Sequence, residues 1–230
     1  MSHIFRVFDR GRARTSLLAV AAIAVAAFSL GLLTATRTRA WTSEQISPAG
    51  NHEVSQKFWV SAQETKDRFS ASQHEEFMKK AIANSCTAGV EKRTGGAFGA
   101  VIVNRNGQII AEGTNQVVAN FDPTWHGEMH AIRNACAALK TIKLDGCIIY
   151  TSSEPCPMCL ATCYWAGLDG VVFGAEVADS KKYGGIDDSF IYEQFTKPAG
   201  ARSITQTQML HDDAVNVWKE YASLSDNVPY

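Results

Sequence analysis

The chain has 230 residues, 46% of them hydrophobic, and its 22 Lys and Arg against 23 Asp and Glu leave a net charge of −1. That length holds one ordinary globular domain plus an extension. Charge so near neutrality provides no global footprint for nucleic acid, whose phosphates are held by clustered Lys and Arg, so no nucleic-acid partner is expected.

In chain order, Arg6, Arg10, Arg12 and Arg14 precede an uncharged apolar run over 16–33, followed by Thr38-Arg39-Ala40. Residues 1–40 therefore read as an export signal or a membrane anchor, with the rest of the chain periplasmic or membrane-anchored outside the cytoplasm. The run is intermediate in length between a signal core and a membrane span, so cleavage and retention both stay open. Arg12-Ala13-Arg14 misses a twin-arginine pair by one residue. Residues 41–72 are polar with scattered apolar positions and read as a linker, in which Phe58-Trp59-Val60 has no assigned place.

Residues 73–230 form the expected domain. Phe77, Met78, Ala81, Ile82 and Cys86 recur at helical spacing over 73–90. Ala100-Val101-Ile102-Val103 and Gln108-Ile109-Ile110-Ala111 flank Asn106-Gly107, predicting a hairpin whose tight turn takes positive φ at that pair. Asp122-Pro123-Thr124-Trp125 is a turn, from which His126 and Glu128 open a helix. A β-rich run, Gly146 to Thr151, turns at Glu154-Pro155 into a second helix starting at Cys156. A further strand covers Gly170 to Gly174, and helical spacing returns from Met209 to Tyr221. Alternating strands and helices with a hairpin edge predict a layered α/β sheet.

The chemistry concentrates in His126-x-Glu128 and Pro155-Cys156-x-x-Cys159. Two thiolates and an imidazole offer three ligands to Zn²⁺, leaving a fourth position for water, and Glu128 supplies an unligated carboxylate to move protons. Helix N-termini favour anions and lower thiol pKa values, so both cysteines are placed to be thiolates. Cys-x-x-Cys alone also suits a redox pair or half of a structural zinc site; the upstream His-x-Glu favours a zinc-activated water. His130 and Cys163 read as packing residues rather than a fourth ligand, and Cys86, Cys136 and Cys147 as core filling.

With these motifs in view, the chain from about Gln73 to Tyr230 resembles the cytidine-deaminase-like superfamily, and within it the bacterial guanine deaminases. The similarity runs through Gly95-Gly96-Ala97-Phe98-Gly99, Glu112-Gly113-Thr114-Asn115, Asp122 to Glu128, Tyr150 to Leu160, and Gly185-Ile186-Asp187-Asp188-Ser189-Phe190-Ile191-Tyr192-Glu193. The last of these separates guanine deaminases from tRNA adenosine deaminases. The resemblance implies a three-layer α-β-α fold with a central mixed sheet and hydrolysis of guanine to xanthine and ammonia. It implies that Asn115 hydrogen-bonds the purine, that Phe98 stacks on it, and that Asp188 assists Glu128 near the leaving amine. It also implies a domain-swapped homodimer whose C-terminal tail covers the partner's site, with Tyr230 sealing the pocket. Read without it, Asn115 suits a loop, Phe98 a core and Asp188 a helix cap. Gly127 stands where alanine is usual and Trp125 where a small residue is, so the substrate's size is less constrained than the reaction. Guanosine, adenosine or cytidine deamination remains open, as does a zinc-stabilised binding module without turnover.

Overall fold

The computed structural model describes residues 60–227. The expected signal or anchor over 1–40, most of the expected linker, and Tyr230 lie outside the described residues. No helix among the described residues is long and apolar enough to cross a membrane.

The part of the expected linker that is described is folded. Helix α1 spans Ala62–Asp67 and helix α2 spans Ala71–Cys86, and each starts in a reciprocal cap: Ser61 with Glu64, and Ser70 with Gln73. Each box satisfies two backbone N–H groups that a helix start otherwise leaves unpaired. Thr65 is buried against Gly170, and Arg68 donates to the Gly146 carbonyl at 3.2 Å and to the Asp169 carboxylate at 3.0 Å. Residues 60–72 thus belong to the domain and not to a spacer.

Four strands follow: β1 (Gly99–Val103), β2 (Ile109–Thr114), β3 (Ile148–Ser153) and β4 (Gly170–Ala175), in the sheet order β2-β1-β3-β4. β1 is antiparallel to both β2 and β3, and β3 is parallel to β4. The sheet is mixed, with the expected hairpin at one edge. Every residue of β1 and β3 is buried, which explains why both read as unbroken apolar runs rather than as alternation. Ala100, Ile102 and Ile149 pack with Ala131, Ile132 and Ala135 of helix α4 (Gly127–Leu139) and Cys163 and Ala166 of helix α5 (Pro157–Ala166). Val101, Val103, Ile148 and Tyr150 pack on the other face against Phe77 and Ala81 of α2. Helices therefore cover both faces, in three layers.

Two expectations fail locally. Gly107 alone takes positive φ in the hairpin turn, at +76°, and Asn106 does not. The Gly107 N–H donates to the Asn104 carbonyl at 3.0 Å, Asn104 Oδ1 accepts from the backbone of Asn106 and Gln108, and the strand register slips between Ile102 and Val103. This is a longer turn with a bulge, which needs one left-handed residue rather than two. Ile82 and Cys86, expected inward, are exposed. After Cys86 the helix widens into a π-turn over Thr87–Glu91, which rotates Ala88 into the interior in their place.

The described chain ends in helices α6 (Val177–Gly184), α7 (Ser189–Thr196) and α8 (His211–Ser223). A short helix α3 (Val117–Asn120) leads from β2 towards the Asp122 turn.

Candidate active site

α4 follows β2 and α5 follows β3, and these two strands run in the same direction, so both helix starts open at one end of the sheet. His126 is the N-cap of α4 and Glu128 lies in its first turn; Cys156 is the N-cap of α5 and Cys159 lies one turn inside. Pro157 at the first helical position costs nothing there, because its missing N–H would have had no helical partner. Gly127 lets α4 approach β1: a Cβ on it would stand 3.0 Å from the Phe98 carbonyl oxygen and 3.0 Å from Gly99 Cα. Its departure from alanine is thus a close-packing feature of this chain.

The geometry brings the expected ligands together. Nδ1 of His126 lies 3.6 Å from Cys156 Sγ and 3.6 Å from Cys159 Sγ, and the three ligand atoms all fall within 4.8 Å of one another. Zn–N and Zn–S bonds of about 2.0–2.1 and 2.3 Å in a tetrahedron give N···S edges of roughly 3.6 Å. The observed edges match. A hydrogen bond with Cys159, and a second with His126, hold the Cys156 thiol down to about 4, while the same pairing and burial push the Cys159 thiol up. Metal binding requires both sulfurs as thiolates, so a divalent ion taken up here displaces their protons.

Glu128 is 2% exposed, and its Oε2 has no hydrogen-bond partner among the described residues. Burial raises its carboxyl to about 7. A buried oxygen without a partner beside three ligand atoms is suited to receive a hydrogen bond from a water or substrate that enters the site. Asp188 sits at the N-cap position of α7 but makes no capping bond; Asp187 caps Ser189 instead and pairs with Lys181 at 2.8 Å. Asp188 is buried, and burial followed by the nearby Cys156 charge raises its carboxyl. The cap reading of its side chain therefore fails.

Phe98 is half-buried, not a core residue, and its ring lies parallel to that of His126, with centroids 6.4 Å apart and 6° between planes. Asn115 is buried; its backbone N–H donates to the Phe98 carbonyl at 3.0 Å, and its Oδ1 accepts from the Val117 N–H at 3.1 Å. His130 Nδ1 is engaged by the backbone of Thr114, and Cys163 is buried with its thiol raised to about 12 by burial, so neither joins the ligand set. Trp125 packs edge-on against His130 under Arg133. Tyr192 escaped sequence reasoning: its hydroxyl donates to the Pro155 carbonyl at 2.7 Å and ties α7 to the turn before Cys156. Its spacing of four from Asp188 on one helical face was the available signal.

Residues 71–175 match the family described as the cytidine and deoxycytidylate deaminase zinc-binding region. A guanine deaminase from Bacillus subtilis (strain 168) is 47% identical over 153 residues, which cover 65% of this chain and 96% of that protein. The X-ray structure of guanine deaminase from Bacillus subtilis matches with a TM-score of 0.61 at 46% identity, covering 67% of this chain and 99% of the other. A tRNA-specific adenosine deaminase from Aquifex aeolicus (strain VF5) is 41% identical over 92 residues, which cover 40% of this chain and 58% of that protein.

Proposed function

The chain belongs to the cytidine and deoxycytidylate deaminase zinc-binding family, on its guanine deaminase branch, and on that premise we propose that it is a zinc-dependent hydrolase converting guanine and water to xanthine and ammonia. One observation carries the reading. His126, Cys156 and Cys159 converge at tetrahedral spacing beside the buried, unpartnered oxygen of Glu128, in a chain whose likeness to a guanine deaminase spans 96% of that enzyme. The likeness to an adenosine deaminase spans 58%.

His126, Cys156 and Cys159 would hold the zinc, which when bound supplies Lewis acidity and lowers the pKa of a coordinated water towards about 7. In the reaction the C2–N bond of guanine breaks and a C2–O bond forms. Glu128 takes the proton of the attacking water, gives it to a ring nitrogen, and then delivers a proton to the departing amine. Asp188, whose carboxyl burial raises, is the second acid on the side of that amine. The Phe98 ring, parallel to that of His126, offers its face for the purine to stack on. Asn115 reads the ring's edge.

A domain-swapped homodimer completes the proposal. No residue of α8 is buried, and Val217 and Trp218 on it are exposed. An apolar cavity of about 200 Å³ beside α7, lined by Phe190, Ile191, Phe195 and Ile204, is available to a second copy. Residues 1–40 act as an export signal or anchor, and the mature protein's N-terminal sequence decides between the two.

Ammonia release by the zinc-loaded chain, compared across guanine, guanosine, adenosine and cytidine, tests the substrate. Guanine should be preferred. Preference for a nucleoside transfers the chain to that activity, and no release from any of them leaves a zinc-stabilised binding module.

A further inference from the structure

The loop over 94–96, which no motif-level reading of the chemistry uses, is built around Asn115. The Thr94 hydroxyl donates to the Asn115 carbonyl at 2.7 Å, and the Thr94 carbonyl accepts from the N–H groups of Val118 and Ala119, each at 3.0 Å. Gly95 lies directly over the side chain: a Cβ on it would overlap Asn115 Oδ1 and come to 2.9 Å of Cγ. Oδ1 also accepts from Val117 N–H at 3.1 Å, and the same Cβ on Gly95 would come to 3.2 Å of that nitrogen. The carboxamide oxygen is thus held on a backbone donor, under a glycine that must remain bare.

That confinement has a chemical result. A carboxamide offers one oxygen acceptor and one NH₂ donor. With one lone pair of Oδ1 taken by Val117 N–H and Gly95 packed over the oxygen, Nδ2 is the atom left to meet a ligand, so the ligand must present an acceptor. We infer that Gly95 and Thr94 are positioning residues that lock Asn115 as a hydrogen-bond donor, and that this lock makes the site select a purine carrying the 6-oxo oxygen. The inference rests on the guanine deaminase reading. A methyl group at position 95 would push the carboxamide away from Val117, and loss of the Thr94 hydroxyl would release the Asn115 backbone; both leave the zinc ligands untouched. Sites built to hydrogen-bond a substrate group discriminate strongly against analogues that lack it, because the buried partner is then left unpaired.

The experiment compares guanine with 2-aminopurine, which has the same 2-amino group and no 6-oxo oxygen, as substrate or, where turnover is slow, as competitive inhibitor. The full chain loaded with zinc is used. Wild type should favour guanine, and Gly95→Ala and Thr94→Val should each reduce the guanine-to-2-aminopurine ratio at least tenfold, chiefly through KM, with zinc content unchanged. Thr94→Ser should restore the ratio. In an Asn115→Ala background, Gly95→Ala should have no further effect. If Gly95→Ala does not fold, the Thr94→Val and Thr94→Ser pair carries the same test. Equal losses on both ligands, an unchanged ratio, or a full additional loss in the Asn115→Ala background would overturn the inference. Guanine turnover by wild type is read separately, so failure of the functional reading is distinguishable from failure of the lock.

Discussion

Glu128 has the same neighbours as the thiols but a different task, and burial separates them. The Cys156 thiol is held low by Cys159 and His126, whereas the carboxyl of Glu128 is raised by its own desolvation and keeps one oxygen without a partner. Glu128→Ala should therefore retain zinc, which it does not ligate, and lose about 10²- to 10⁴-fold in kcat, the usual worth of a positioned acid–base group. Metal analysis beside steady-state ammonia release checks both halves; unaltered turnover removes Glu128 from proton transfer. His126, Glu128, Cys156 and Cys159 were legible because each pair lies within a few residues of a helix start, where spacing fixes direction. Asp188 was ambiguous: two adjacent aspartates precede Ser189, and only the fold shows that Asp187 takes the cap. Gly95 opens one of the motifs that carry the resemblance, but no spacing ties it or Thr94 to Asn115, since the Thr94 contact joins loops 21 residues apart.

Among the elements, hydrophobic pattern identified the strands and the helices that cover them, and failed where backbone irregularity intervened. The inner stripe of α2 is narrower than its apolar pattern, with Phe77 and Ala81 buried and Ile82 and Cys86 exposed, and the π-turn that follows Cys86 brings Ala88 inward. Helix α1 and the first residues of α2 were hidden by their polar composition, although Ser61-x-x-Glu64 and Ser70-x-x-Gln73 are capping-box patterns. What attaches this segment to the sheet is long-range. Asp169, with its side chain 2% exposed, meets Arg68 at 3.0 Å and Arg105 at 3.7 Å, and its other oxygen accepts from Gly146 N–H at 3.0 Å. Arg68→Ala, which leaves that carboxylate buried and undercompensated, should cost about 3 kcal/mol. Glu75→Ala breaks the exposed pair with Lys79 and should leave the midpoint nearly unchanged. Urea unfolding midpoints of the two variants check the contrast, and equal shifts would mean that the Arg68 bridge is no anchor.

For the molecule as a whole, the sheet is covered on both faces within one chain while helix α8 packs against nothing that buries it among the described residues. α8 buries nothing within the described chain, yet Val217 and Trp218 on it, and Leu210 at its N-cap, are exposed; in the proposed homodimer these cover a second copy. Deletion of the residues after Asn227 should lower kcat/KM for guanine at least tenfold while leaving the unfolding midpoint within experimental error; unchanged kinetics would defeat the tail's role. Neither this tail nor the partner could be read from composition, because an apolar helical stripe reports that something covers it and not what. The metal is the element on which all of this depends. Zinc stripped by chelation and returned in measured equivalents to the full chain, with ammonia release from guanine recorded at each step, tests it most directly. Activity should rise in proportion to bound zinc and level off at one ion per chain; guanine turnover undiminished in metal-free protein, or absent at full zinc occupancy, would contradict the account.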